Sequence, residues 1–211
     1  MEPNPSLFSA PFLTHLQDLI TLHHSIYPRI PPQGIFFESL VAQVFKRSNW
    51  PAALVTLSKA NAPQHDLLVG ASKISLKTET GEGTRPNTIS ITKLCTTETG
   101  AWDSQALIRH TLAHLARYDH MLMLRAVWAT GVVRYQVIEI PLDLLKSIAS
   151  VQVEAVGRRS GRPSMATDVS RDGTRLFRIH YDGADGKCQI RGLAVNACRK
   201  LAEWDQLLDD S

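Results

Sequence analysis

The sequence predicts a mixed α/β (α+β) fold in which one central mixed β-sheet is flanked by helices. Three observations carry this. Segments with helical spacing of apolar residues alternate with short β-rich runs in the order helix, strands, helix, strands, helix. The 211 residues are enough for one domain of ordinary size with a real core, read here as a single unit over 1–211. The hydrophobic fraction of 44% with 20% charged residues is that of a folded globular chain, which excludes a disordered class.

The elements follow in order. Residues 10–24 carry apolar residues at helical spacing and are closed by "YPRIPPQG", whose prolines cannot continue a helix. "GIFFESLVAQVFKRS" predicts a second helix, with Lys46 and Arg47 in its last turn, where cations suit the helix dipole. "AALVTLSKA", "DLLVG", "SKISLKTET" and "NTISITKLC" read as strands. "AWDSQALIRHTLAHLARYD" is the clearest helix, with Leu107, Ile108, Thr111, Leu112 and Leu115 as its apolar stripe. "HMLMLRAVW" and "VVRYQVIEI" then form a hairpin around Ala129-Thr130-Gly131. Pro141 opens a short helix, "LDLLKSI". "VQVEAV", "TRLFRIHYDG" and "KCQIRGL" are further strands with Asp-Gly turns, and "AVNACRKLAEWDQLL" is expected to close the chain as a helix.

Composition narrows the function classes. The start of the chain has no basic segment followed by a long apolar one, and nowhere do about 18 apolar residues run together, so neither a signal peptide nor a membrane partner is expected and a cytoplasmic location is. Cys95, Cys188 and Cys198 follow neither zinc nor redox spacing and read as small core residues. No GxGxxG, Walker or GxSxG pattern is present, which removes support for a nucleotide cofactor and for a serine hydrolase. His110 and His114 share a helix face, but no glutamate follows His110, and "DGADG" lacks the spaced acids of a calcium loop.

Charge is unevenly placed. Residues 157–200 carry 10 basic and 4 acidic side chains, whereas residues 1–156 carry 13 and 12. A local excess of this kind attracts a polyanion. Arg158, Arg159 and Arg162 lie on a Gly/Pro-containing loop, and Arg171, Arg175, Arg178, Lys187, Gln189 and Arg191 lie around hairpin-like strands. Alternation puts Lys187, Gln189 and Arg191 on one strand face. Arginine reads guanine bidentately and glutamine reads adenine, while the other cations contact phosphates, so the region of about 157–192 fits an element that reads double-stranded DNA.

A candidate catalytic centre lies earlier. Glu38 falls on the apolar side of the second helix with Ile35, Val41 and Phe45, where a carboxylate needs a cation: a buried basic side chain or a metal. Alternation places Ser75, Lys77 and Glu79 on one strand face. Asp66 reaches the same place if "DLLVG" and "SKISLKT" are adjacent antiparallel strands turning at Gly70. Hard oxygen donors beside a lysine suit Mg2+ and the hydrolysis of a phosphodiester.

Asp66, eight residues, then Ser75-Leu76-Lys77, with Glu38 on a preceding helix, resembles the core of the PD-(D/E)XK nuclease superfamily found in type II restriction endonucleases. "ISLKT" is also similar to a strand of mismatch-repair nicking endonucleases. The resemblance implies a restriction-endonuclease-like fold and a divalent metal held by Asp66, the Leu76 carbonyl and an acid, with Lys77 positioning the attacking water and Glu38 as the helix acid. His65 stands in place of the motif's proline, and Ser75 in place of its acid, for which Glu79 and Glu38 are the candidate replacements. The function so implied is Mg2+-dependent, site-specific cleavage of double-stranded DNA by a homodimer. The alternatives are a nicking or repair endonuclease and a catalytically silent DNA-binding domain.

Overall fold

The computed structural model describes residues 7–48, 50–58, 65–97, 101–157 and 161–208. It is an α+β fold with two sheets, and by its contacts the chain divides into two compact units. The first comprises Met1–Thr84, His120–Glu139 and Lys200–Ser211; the second comprises Arg85–Asp119 and Ile140–Arg199.

In the first unit, helices α1 (Ala10–Ile26) and α2 (Ile35–Arg47) accompany strands β1 (Val55–Leu57), β2 (Leu67–Val69) and β3 (Ser72–Glu79). In the second, β4 (Thr88–Thr96) precedes α3 (Ser104–Leu115). The chain then forms β5 (His120–Ala129) and β6 (Val132–Glu139) of the first unit. Helix α4 (Leu142–Lys146) and strands β7 (Glu154–Gly157), β8 (Ser164–Arg171), β9 (Thr174–Tyr181) and β10 (Lys187–Ala194) complete the second, and β11 (Arg199–Leu207) follows.

The first sheet has the order β1-β2-β3-β5-β6-β11, and β3 and β5 run parallel while β1-β2, β2-β3 and β5-β6 are antiparallel. A parallel pair needs a long crossover. Here the crossover includes a piece of the second unit, residues 85–119, and the rest of that unit falls between β6 and β11 in sequence. Gly70 makes the tight β2–β3 turn at φ 60°, a left-handed conformation that favours glycine.

Core formation follows the apolar spacing. Phe12, Leu16 and Ile20 of α1 and Phe37, Val41 and Phe45 of α2 are buried with Ile74 and Leu76 of β3 and Leu122 and Leu124 of β5. A tilted ring contact tightens the helix pair, with Phe12 and Phe45 centroids 4.4 Å apart.

In the second unit the antiparallel sheet has the order β4-β10-β9-β8-β7. Helix α3 is capped by the Asp103 side chain, which accepts from the Ala106 N–H. Its buried Thr111 hydroxyl bonds the Tyr181 hydroxyl at 2.8 Å, which fixes α3 on the sheet face carrying Tyr181 and Cys188. Strand β8 adds to the strands the sequence suggested, and Asp172 (φ 52°) and Gly173 (φ 75°) form the two-residue turn that joins it to β9.

The sequence reading is corrected at the C-terminus. "AVNACRKLAEWDQLL" is not a helix: a short 3-10 turn at Val195–Ala197 is followed by strand β11 beside β6. The segment has good helix formers, but tertiary contacts override them. Trp204 stacks on Tyr135 of β6 at 5.6 Å, and the carboxylate of Asp205 takes a two-pronged bond from Arg134, also on β6. A strand presents Trp204 and Asp205 to opposite sides, which both partners require. The expected mixed sheet is present in the first unit, and the second unit adds an antiparallel sheet, which hydrogen-bond pairing between distant strands left no local periodicity to announce. Among the described residues no helix is long and apolar enough to cross a membrane.

Candidate active site

Strand pairing decides where the first acid sits. Leu67 lies opposite Ile74, so Asp66, just before β2, falls beside Ser75 and Leu76 of β3. Its backbone N–H continues the ladder by donating to the Ile74 carbonyl at 3.1 Å. Beyond this point β2 has ended, and the Asp66 side chain takes over as the partner of β3. Oδ2 accepts from the Leu76 N–H at 2.7 Å and from the Ser75 hydroxyl at 3.2 Å. Two donors on one carboxylate oxygen fix its direction.

Lys77 completes this corner. Its ammonium lies 3.7 Å from Asp66 Oδ2 and donates to the Leu76 carbonyl at 3.2 Å. The side chain keeps only 19% of its exposure, so its four-carbon stem is held along the sheet while the charge stays at the oxygen pair.

Glu38 approaches from α2, half-buried one turn into the helix. Its carboxyl pKa is raised above the ordinary value, first by burial and then by the negative charge of Asp66, with Lys77 pulling the other way. Glu38, Asp66 and Lys77 are therefore electrostatic neighbours. Ile35, expected on the buried side with Glu38, is instead 60% exposed because it opens the helix.

Ser75 is fully buried at the position where the motif has an acid, and it supplies a hydroxyl donor to Asp66. Glu79 goes elsewhere. It lies opposite Arg125 in the β3–β5 register and accepts from Arg125 Nε at 2.7 Å. Arg125 has no exposed surface, and its Nη1 donates to Gln136 at 2.6 Å; Gln136 in turn donates to Glu203 of β11 at 2.6 Å. This buried polar chain was not anticipated. Its signal was present, since an arginine inside "HMLMLRAVWA" is a charge in a strand otherwise built for the core.

The residues at this corner fit a hard divalent cation. The carboxylates of Asp66 and Glu38 and the Leu76 carbonyl are oxygen donors, the set such ions prefer. An ammonium already rests against two of them. Among the described residues no group of three or more His, Cys, Asp or Glu side chains is placed to hold a metal ion.

In the second unit Arg178 of β9 and Lys187, Gln189 and Arg191 of β10 lie on the outward side of the sheet. Cys188 and Ile190 of β10 point inward, while Lys187, Gln189 and Arg191 alternate outward. Arg191 donates through Nε (3.0 Å) and Nη2 (2.6 Å) to the Gln189 side-chain oxygen. Arg191 is paired across the ladder with Arg178, and Gln189 with His180. Arg175 and Arg178 each lie 3.2 Å from Asp168 Oδ1, and Lys187 is bound by Asp185 at 2.6 Å. Arg171 ends β8 at the exposed turn. The Arg162 guanidinium stacks 3.9 Å over Trp102, whose indole N–H donates to the Pro163 carbonyl. Arg158 and Arg159 lie outside the described residues.

Comparison with known proteins gives the family. No solved structure matches the chain. The type II restriction enzyme SmaI of Serratia marcescens is 27% identical over 150 residues, which cover 69% of this chain and 61% of that protein. The match thus spans about three fifths of the relative's length. Residues 1–206 match the SmaI family, described as type II site-specific deoxyribonuclease, over nearly the whole chain, and the chain therefore belongs to the SmaI family.

Proposed function

We propose that the chain is a type II restriction endonuclease that hydrolyses phosphodiester bonds of double-stranded DNA at a short specific site, in the cytoplasm, as a Mg2+-dependent homodimer with a PD-(D/E)XK-type centre. The observation that carries this reading is the convergence of Asp66, Glu38 and Lys77 at the end of β2, in a chain whose family is one of site-specific deoxyribonucleases.

Asp66, Glu38 and the Leu76 carbonyl would hold the cation. The chemistry a divalent metal would supply there is a lowered pKa of a water and neutralised charge on the phosphoryl oxygens. The chain's own residues do the rest. Ser75 and the Leu76 N–H hold the Asp66 carboxylate in one orientation. Lys77 directs the attacking water and stabilises the extra negative charge on the phosphorus centre, since its ammonium is fixed at the same oxygens. Glu38, rather than Glu79, is the acid that stands in for Ser75, because Glu79 is drawn to Arg125. The outward side chains Arg171, Arg175, Arg178, Lys187, Gln189 and Arg191, with Arg158, Arg159 and Arg162, bind the duplex, and base edges are read by a subset of them.

Incubation of the purified protein with phage or plasmid DNA, with Mg2+ and with chelator, tests this. Discrete fragments only with Mg2+ are expected, and their ends define the site. Open circles without linear product would support a nicking enzyme. Ser75 in the acid's place favours one other reading, a silent DNA-binding domain, for which specific binding with intact DNA under every divalent metal would be the mark.

A further inference from the structure

We infer that the apolar face formed by residues 22–36, the end of α1, its connection and the start of α2, is the surface through which two copies of this chain pair; the inference rests on the restriction reading above, in which both strands must be cut. Leu22 (57%), Ile26 (60%), Tyr27 (51%), Ile30 (64%), Ile35 (60%) and Phe36 (71%) are all more than half exposed. These are six of the ten large apolar side chains found exposed among the described residues, gathered in 15 positions. Monomeric proteins rarely leave so much apolar surface uncovered in one place.

The patch is held in shape. His23 donates from Nε2 to the Ile30 carbonyl at 2.8 Å, the Tyr27 N–H donates to the His23 carbonyl at 2.8 Å, and Pro31 and Pro32 are buried. A connection pinned in this way loses little freedom on binding. Leu207, 78% exposed, borders it, since its carbonyl accepts from His24 at 3.1 Å.

Charge selects the occupant. Residues 22–36 contain one fully charged side chain, Arg29, and no acid. Duplex DNA or an anionic membrane would call for several cations. A two-fold interface must be complementary to itself, which an apolar face with almost no charge satisfies and a strongly charged one does not. The area agrees: six large side chains, each more than half exposed, offer several hundred Å2, approaching the roughly 800 Å2 per partner of a standard interface. Ile35 and Glu38 lie one helical turn apart on α2, so the face runs up to the catalytic corner, and pairing through it couples the two centres for a double-strand cut.

Sedimentation velocity on the full chain, with Ile26→Glu/Phe36→Glu as the test variant and Val156→Glu, an exposed residue of β7, as the control, decides the matter. Wild type and control are expected at twice the 23.4 kDa chain mass at micromolar concentration. The test variant, which buries four new charges in a two-fold interface, is expected to weaken association by about a hundredfold or more with unchanged circular dichroism. A monomeric wild type, or a test variant that still pairs like the control, overturns the inference. Cleavage assays on the same samples separate the two readings. A dimer lost in the test variant but without Mg2+-dependent cleavage sinks the restriction reading and leaves the surface standing. A cleaving monomer does the reverse.

Discussion

The carboxylate of Asp66 binds the backbone N–H of Leu76 at 2.7 Å, where β2 has ended and β3 would otherwise carry an open donor. One residue thereby continues the pairing of a strand and fixes the direction of its own carboxylate oxygen. The Leu76 carbonyl on the same peptide strand meets Lys77, so both polar groups of Leu76 are tied to the proposed chemistry.

The first prediction separates Lys77 from Asp66. Lys77→Ala should lower cleavage by about 10²–10⁴-fold while a divalent metal still raises the melting temperature. Asp66→Asn should lose both. Wild-type cleavage by Lys77→Ala would remove the site assignment.

Glu38 gives a prediction in pH. Its carboxyl is raised, by burial and then by Asp66, above its ordinary value of 4.5. In the window between 4.5 and the folded value the native state binds more protons than the unfolded one, so stability is present at low pH and falls as pH rises through that window. Glu38→Gln should therefore be no less stable than wild type at neutral pH and should lose the stabilisation conferred by metal. Urea unfolding at acid and neutral pH, with and without Mg2+, measures this; a variant clearly less stable at neutral pH in the absence of metal would contradict it.

Arg125 is a matter of folding. It has no exposed surface and holds Glu79 and Gln136. Arg125→Met strands the Glu79 carboxylate and should cost about 3–5 kcal/mol, and adding Glu79→Gln should recover part of it. Denaturant unfolding of the single and double variants reads the difference. A loss under about 1 kcal/mol for Arg125→Met would show that the pair carries no such burden.

The outward sheet face predicts a salt effect. Removing one phosphate contact, for instance Arg178→Ala, should weaken duplex binding uniformly and reduce the slope of log affinity against log salt by about one. Loss confined to one DNA sequence would instead identify a base-reading side chain. An unchanged slope for every arginine of β9 and β10 would place the DNA elsewhere.

The sequence alone determined the parts whose information is local. The spacing of Asp66 from Ser75-Leu76-Lys77 was readable because a tight turn at Gly70 joins two adjacent strands, and register there follows from chain length. The apolar stripes of α1, α2 and α3 were readable because helical periodicity repeats every few residues. Tertiary structure decided the rest. Residues 199–207 became a strand because Trp204 and Asp205 found Tyr135 and Arg134 on a strand some 70 positions away, an interaction stronger than the segment's own helix preference. Glu79 and Glu38 looked equally eligible to replace the missing acid, and only the parallel pairing of β3 with β5 set Arg125 beside Glu79. Local propensity is written in neighbouring residues, whereas the partner of a buried charge is fixed only when distant strands meet, because an uncompensated charge in the core costs more than any local preference returns.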